Sequence, residues 1–195
     1  MAFLRSPLSP ELEVRISGEG LYLRHPLPGD FEPWARLRSL SRAFLEPWEP
    51  VWPADDLTRA AFRRRLRRYQ RDIREDSAYP FLVFQKGNNR LLGACTLSNV
   101  RRGVAQTASL GYWVGEPYKG QGIITRAVRA LLPYAFEDLK LHRVEAACLP
   151  TNEPSKRLLR RCGFTEEGYA RAYLRINGAW QDHILFAILR DDPRS

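Results

Sequence analysis

The sequence predicts a mixed α+β fold, and three observations predict it. β-rich apolar segments follow one another at residues 80–85, 90–99 and 105–114, separated by turn chemistry such as Gly87-Asn88-Asn89. Helical stripes of period 3.6 lie before and after them, at residues 59–75 and 121–139. The chain then closes on strand, helix and hairpin. Its 195 residues match the usual size of one domain, so residues 1–195 are expected to fold as a single unit.

Taken in order, residues 1–10 carry Ser6, Pro7, Ser9 and Pro10 and read as a loose tail. Residues 11–16 and 21–24 read as short strands. Gly29-Asp30 opens a helix to about residue 42, with Phe31, Trp34, Leu37 and either Leu40 or Ser41 on one side. Pro47, Pro50 and Pro53 make residues 44–56 an irregular loop. In the next helix Phe62, Leu66, Tyr69 and Ile73 recur at i, i+4, i+7 and i+11, a single core-facing stripe. The helix over residues 121–139 buries Ile124, Ala127, Val128, Leu131 and Ala135, and Pro133 should kink or split it. Residues 143–149 form a strand. A helix over 153–161 ends at Gly163 as its C-terminal cap. Strands 166–176 and 180–189 flank Asn177-Gly178, a strong hairpin signal.

Composition narrows the function. Apolar residues make up 44% and charged residues 27%, which is globular usage and excludes collagen, coiled coil and disordered tail. No run nears the ~20 apolar residues of a membrane helix. The start, MAFLRSPLSPELEV, lacks the apolar region of a signal peptide. Cys95, Cys148 and Cys162 share no metal-ligand spacing, so no metal is expected and a reduced cytoplasm is the natural setting. His25, His142 and His183 are scattered, with no ligand spacing, and read as structural. Net charge is +9, almost all of the excess arginine, which suits anionic partners. The densest basic run, residues 59–75, is open to two readings: a solvated helix face, or a surface that tracks phosphates. No aromatic residue interleaves with those arginines, so base stacking is not suggested.

The chemistry sits in residues 110–125, LGYWVGEPYKGQGIIT. A strand ends, a glycine-containing turn follows, and a helix starts. Amides at such a start have no acceptor within the helix and make a ready anion site. A Walker loop is absent, and the third glycine of a dinucleotide fingerprint is replaced by Thr125. Alone, the pattern fits a phosphate grip or merely a tight turn.

Lys119-Gly120-Gln121-Gly122-Ile123-Ile124 resembles the pyrophosphate motif of the GNAT superfamily of acetyl-CoA-dependent N-acetyltransferases, [RQ]xxGx[GA]. Lys119 keeps a donor where the family has Arg or Gln, and Ile124 replaces a small residue. Asn152-Glu-Pro-Ser155 leading to Cys162-Gly163-Phe164 matches a second family stretch. Residues 44–51, 97–103, 111–113, 163–170 and 178–183 together resemble the branch that acetylates ribosomal-protein alanine termini, the RimJ type. The resemblance implies a mixed, mostly antiparallel sheet splayed between its fourth and fifth strands and flanked by helices. It implies acetyl-CoA as co-substrate, with Trp113, Val114, Lys119, Gly120, Gln121, Gly122, Ile123, Ile124, Thr125, Asn152 and Ser155 as its binding residues.

By the same resemblance the pantetheine arm pairs with residues 112–114, and a backbone N–H near Trp113 or Val114 polarises the thioester. Ser155 is the candidate proton donor to the leaving thiolate, Leu159 standing where many members carry a tyrosine. For Asn152, capping of the helix is an equal alternative to cofactor contact, and for Ser155 a local helix-start bond can hold together with the donor role. Glu49 and Glu116 are the candidate bases, with Glu46 and Asp182 beside them. Trp48, Glu46 and Tyr112 are candidate acceptor contacts. The implied partner is the N-terminus of a small-subunit ribosomal protein and, through the basic surface, the pre-ribosomal particle. Two readings remain open: a GNAT enzyme acting on a polyamine, aminoglycoside or other peptide, and an assembly factor with a secondary acetyl-CoA site.

Overall fold

The computed structural model describes residues 14–193, so the expected tail at residues 1–10 lies outside the described part. The chain runs β1 (Arg15–Gly18), β2 (Leu21–Arg24), α1 (Phe31–Leu40), α2 (Arg42–Leu45), α3 (Arg59–Arg74), β3 (Tyr79–Gln85), β4 (Leu91–Arg101) and β5 (Thr107–Val114). It continues with α4 (Ile123–Pro133), β6 (Arg143–Cys148), α5 (Glu153–Arg161), β7 (Thr165–Ile176) and β8 (Ala179–Leu189). Eight strands form one sheet in the order β1-β2-β3-β4-β5-β6-β8-β7. Every pairing is antiparallel except β5 with β6.

Strand alternation sorts the core onto two faces. Leu21, Leu23, Phe81 and Val83 pack with Ile124, Ala127, Val128 and Leu131 of α4 and Leu159 of α5. Their neighbours Tyr22, Leu82 and Phe84 pack with Trp34 and Leu37 of α1 and Phe62 and Leu66 of α3. Each fully buried large side chain contributes roughly 1.5–3 kcal/mol. Thus the stripes read from the sequence do set which helix covers which face.

The one parallel pair is short. β5 and β6 are in register only at Thr107↔Arg143, Ala108↔Val144 and Ser109↔Glu145. Beyond Ser109 the two strands part and leave a wedge, while β4 follows β5 to Val114. Counted from Arg15 these are the fifth and sixth strands, because the first hairpin adds one to the count.

Local expectations are corrected in two places, and the expected break at Pro133 is met in a third. The first helix breaks at Ser41, where φ −98° and ψ 6° leave helical geometry. Ser41 is fully buried and its Oγ accepts from the Glu116 amide at 2.8 Å, whereas Leu40 is exposed. The segment expected to be irregular contains a short helix at Arg42–Leu45 and a 3-10 turn at Glu46–Trp48. The helix expected over 121–139 ends at Pro133 and widens over Tyr134–Asp138, with Leu139 N–H reaching Tyr134 O at 3.0 Å. Proline supplies no N–H there, so the preceding turn loses its bond. At the other end of the chain, Asn177 and Gly178 take φ +44° and +81°, the paired left-handed values of a tight hairpin turn.

Candidate active site

Where β5 and β6 part, a cleft of about 550 Å³ opens between α2, β5, α4 and α5. Its donor wall is made by main chain. β5 ends at Val114, Glu116–Tyr118 make a 3-10 turn, and α4 starts at Ile123. Tyr118 N–H and Lys119 N–H bond back to Gly115 O and Glu116 O. Among the described residues, the next six amides, Gly120 to Thr125, donate to no protein acceptor; the ladder resumes at Arg126 N–H to Gly122 O, 3.1 Å. Gly120 and Gly122 hold φ +74° and +67°, which L side chains rarely adopt, and nothing lies within 4 Å of where a Cβ would stand. The turn is therefore open, donor-rich and set at a helix N-terminus, and it fits a pyrophosphate. Ile123 and Ile124 bury their side chains in the core and leave their amides at the turn.

The edge of β5 supplies the next donors. Gly115 N–H bonds to Leu92 O at 2.9 Å, so by strand alternation Trp113 also turns its polar groups to β4. Tyr112 and Val114 turn theirs to the wedge. Of the two amides expected near the thioester, Val114 is the one that faces it.

At the wedge, Tyr112 Oη and Ser155 Oγ stand 2.5 Å apart. Asn152 Oδ1 accepts from Ser155 N–H at 3.1 Å, so Asn152 caps α5 and fixes Ser155 in the first turn. Burial drives the Tyr112 phenol well above its ordinary range, against a smaller lowering by Ser155. Tyr112 thus stays protonated and can donate to Ser155, leaving the serine proton free to point into the cleft.

The opposite wall is made by side chains. Arg38, buried on α1, donates to both Glu49 oxygens at 2.7 and 2.6 Å. Trp52 Nε1 donates to Glu49 Oε2 at 2.8 Å, and the Glu49 carbonyl accepts from Asn177 N–H of the hairpin at 2.9 Å. The Arg38 guanidinium lies 3.9 Å from the Trp52 ring and 5.0 Å from the Trp113 ring. A second cleft of about 310 Å³ opens behind this wall, between α1, α3 and β3–β5. Glu49, Tyr112 and Trp113 line both clefts.

The structure brings together most of the expected site. Trp48, Glu49, Tyr112, Trp113, Val114, Lys119, Gly120, Gly122, Ile123, Ile124, Thr125, Asn152 and Ser155 all line the larger cleft. Glu116, Gln121 and Glu46 do not. Glu116 pairs with Lys119 at 3.1 Å, Gln121 bonds to Pro117 O, and Glu46 pairs with Arg42 at 2.6 Å. Asp182 stands on the β7–β8 ribbon, where Tyr169 and the Ala172 amide hold its carboxyl below the usual range. Sequence reasoning passed over Phe44, Leu45, Tyr118, Pro154, Arg157, Leu158 and Arg161, which also line the cleft. For α5 a signal existed: Pro154, Arg157, Leu158 and Arg161 recur at i, i+3, i+4 and i+7, one helical face beside the buried Ser155–Leu159 stripe.

With this geometry in hand, comparison with known proteins is direct. Residues 20–165 match the family model of the acetyltransferase (GNAT) domain. The chain is 39% identical over 177 residues to the probable N-acetyltransferase YjcK of Bacillus subtilis, covering 91% of this chain and 98% of that one. It is 34% identical over 182 residues to the [ribosomal protein uS5]-alanine N-acetyltransferase of Escherichia coli, covering 92% and 93%. Among solved structures it is similar to Mycobacterium smegmatis RimJ in complex with CoA-disulfide. There the TM-score is 0.83 at 32% identity, covering 90% of this chain and 86% of that one.

Proposed function

This chain belongs to the GNAT family and is an N-acetyltransferase that uses acetyl-CoA, and from that premise we propose that it acetylates the N-terminal alanine of a small-subunit ribosomal protein. The observation that carries the reading is the meeting of two clefts at Glu49, Tyr112 and Trp113: a donor site on one side and room for a peptide terminus on the other. The Escherichia coli relative, named for uS5 alanine, supports the acceptor.

Acetyl-CoA supplies an activated thioester; the rest is done by the chain. The amides from Gly120 to Thr125 hold the pyrophosphate, with Lys119, Arg157 and Arg161 as nearby cations. Tyr112 and Val114 align the pantetheine arm along β5, and the Val114 N–H stabilises the oxygen as charge develops on it. The attacking amine forms the amide bond and gives up one proton to water. The departing thiolate takes one proton from Ser155, which Tyr112 orients by donating to its Oγ, and the serine is reprotonated from the water that received the amine's proton. Atoms balance as acetylated terminus plus free CoA.

No carboxylate is needed as a strong base. Glu49, one of the candidate bases from the sequence, has both oxygens engaged by Arg38 and Trp52, and its role here is to hold the acceptor wall. An α-amine has a pKa of about 7.7–8.0 against about 10.4 for lysine. Its neutral fraction near pH 7 suffices, with water as the first proton acceptor. Consequently kcat/KM should climb with pH and flatten just above pH 8. The deciding experiment is acetylation of a peptide panel differing in the first residue, read by product mass. Alanine-first peptides should lead; transfer to polyamines or aminoglycosides alone would overturn the acceptor assignment.

A further inference from the structure

The arginines of α3 fall into rows that differ in their partners. Arg64, Arg68 and Arg71 form one row, and each faces a carboxylate: Asp55, Asp72, and Asp72 with Glu75, respectively. Arg59 and Arg65, towards the packed side, pair with Glu32 and Asp56. Arg63, Arg67 and Arg74 form the remaining row. All three are exposed, and none has a carboxylate partner among the described residues. At about 100° per residue they lie within roughly 40° of one another, and the rise sets them roughly 6 and 10 Å apart along the axis.

We infer that the row Arg63–Arg67–Arg74 is a docking surface for the phosphate backbone of RNA. The inference rests on the ribosomal-protein reading for its biological sense, since such acceptors sit against RNA. Its physics is independent of that reading. Unpaired guanidinium forks at phosphate-like spacing suit a polyanion whose charges repeat every few ångströms. A protein partner would call for an aromatic or aliphatic anchor at the patch, and a membrane would call for an apolar face. The row has neither: the residue between Arg67 and Arg74 on that face is Gln70. With no aromatic residue present, contact is to backbone and not to bases. The neighbouring row supplies an internal comparison, because the same helix bears the same side chains facing carboxylates.

The test uses the whole protein and a fluorescein-labelled RNA hairpin, with binding read by anisotropy over a range of KCl. Two triple variants are compared: Arg63→Gln/Arg67→Gln/Arg74→Gln and Arg64→Gln/Arg68→Gln/Arg71→Gln, which remove equal charge. The first should weaken binding at least tenfold and lower the salt slope by about two to three. The second should leave the slope within about one of wild type. Both should still acetylate a free alanine-first peptide, which also reports that they fold. Equal losses in both variants would reduce the effect to net charge and overturn the inference. So would absence of binding by wild type, or equally tight row-dependent binding of polyglutamate, which would mark an acidic protein as partner. Loss of peptide acetylation by wild type would strike the proposed function and leave the docking result standing.

Discussion

On the α4 side of the cleft, six consecutive amides wait without protein acceptors among the described residues, and the side chains of Ile123 and Ile124 beside them turn into the core. On the α1 side nearly every polar group is spoken for. Arg38, Glu49, Trp52 and Asn177 close a bonded hub, and within that hub Arg38 Nε is the one buried side-chain atom without a partner among the described residues. One wall is main chain left unsatisfied for an anionic ligand; the other is side chain satisfied in advance. The difference separates binding from shape. Substitutions on the first wall should cost affinity, and substitutions on the second should cost stability and acceptor fit.

The largest effect is expected at Gly122. A β-branched residue cannot hold φ +67° without a strain of about 1–3 kcal/mol, and the turn would swing its amides away from the pyrophosphate. Gly122→Val should weaken CoA binding by on the order of 100-fold, measured by calorimetry. Unchanged affinity would detach this turn from the cofactor. Next comes Arg38→Gln, which leaves Glu49 half-buried without its fork. Removing one partner of a buried pair costs about 3–5 kcal/mol; with Glu49 21% exposed, about 2 kcal/mol is expected, read as a lower urea midpoint. CoA affinity should stay within about twofold. Glu49→Gln should behave likewise and leave the shape of the pH–rate profile intact. A profile that lost its rising limb would return Glu49 to the role of base.

This contrast also explains what the sequence could say. A glycine pair at a strand-to-helix turn encodes backbone geometry directly, so the donor wall was readable from Gly120 and Gly122. The helix stripes were readable too, because burial has a period. The Arg38–Glu49 bridge was not: its partners are distant in sequence, and Glu49 among prolines looks the same whether it is a base or a wedge. Nor could alternation alone choose between Trp113 and Val114 until Gly115 N–H was seen bonded to Leu92 O. The choice between Leu40 and Ser41 stayed open for the same reason, since the partner that buries Ser41 is the distant Glu116 amide.

A smaller effect separates the two hydroxyls at the wedge. Ser155→Ala removes the group proposed to protonate the thiolate, and kcat should fall about tenfold with CoA affinity held. Tyr112→Phe keeps Ser155 but loses its 2.5 Å partner, so kcat should fall less. If the two falls were equal, the hydroxyls would be acting as one unit.

The smallest effect lies behind the acceptor wall, at His25, and it should appear only in acid. Its ring is buried, stacks on Phe81 at 4.4 Å and reaches the Pro80 carbonyl through Nδ1 at 2.7 Å, while Nε2 has no partner among the described residues. Burial lowers its pKa, with the Pro80 bond opposing. A folded value below the unfolded one, near 6.5, means that the stabilisation from the neutral ring is complete above pH 6.5. It is lost as pH falls through the folded value, because the protonated ring would carry a second N–H with no acceptor. His25→Gln keeps a donor for Pro80 O and cannot titrate there. Urea midpoints of wild type and variant at pH 7.5 and 5.0 isolate this residue from the other acid-titrating groups the two proteins share. Wild type should lose more on acidification than the variant does. Pro26, Pro80 and Phe81 line the smaller cleft, so the same acidification should raise KM for the peptide, counted as neutral amine, before it affects CoA binding. Parallel changes in both would mean that the two walls yield together.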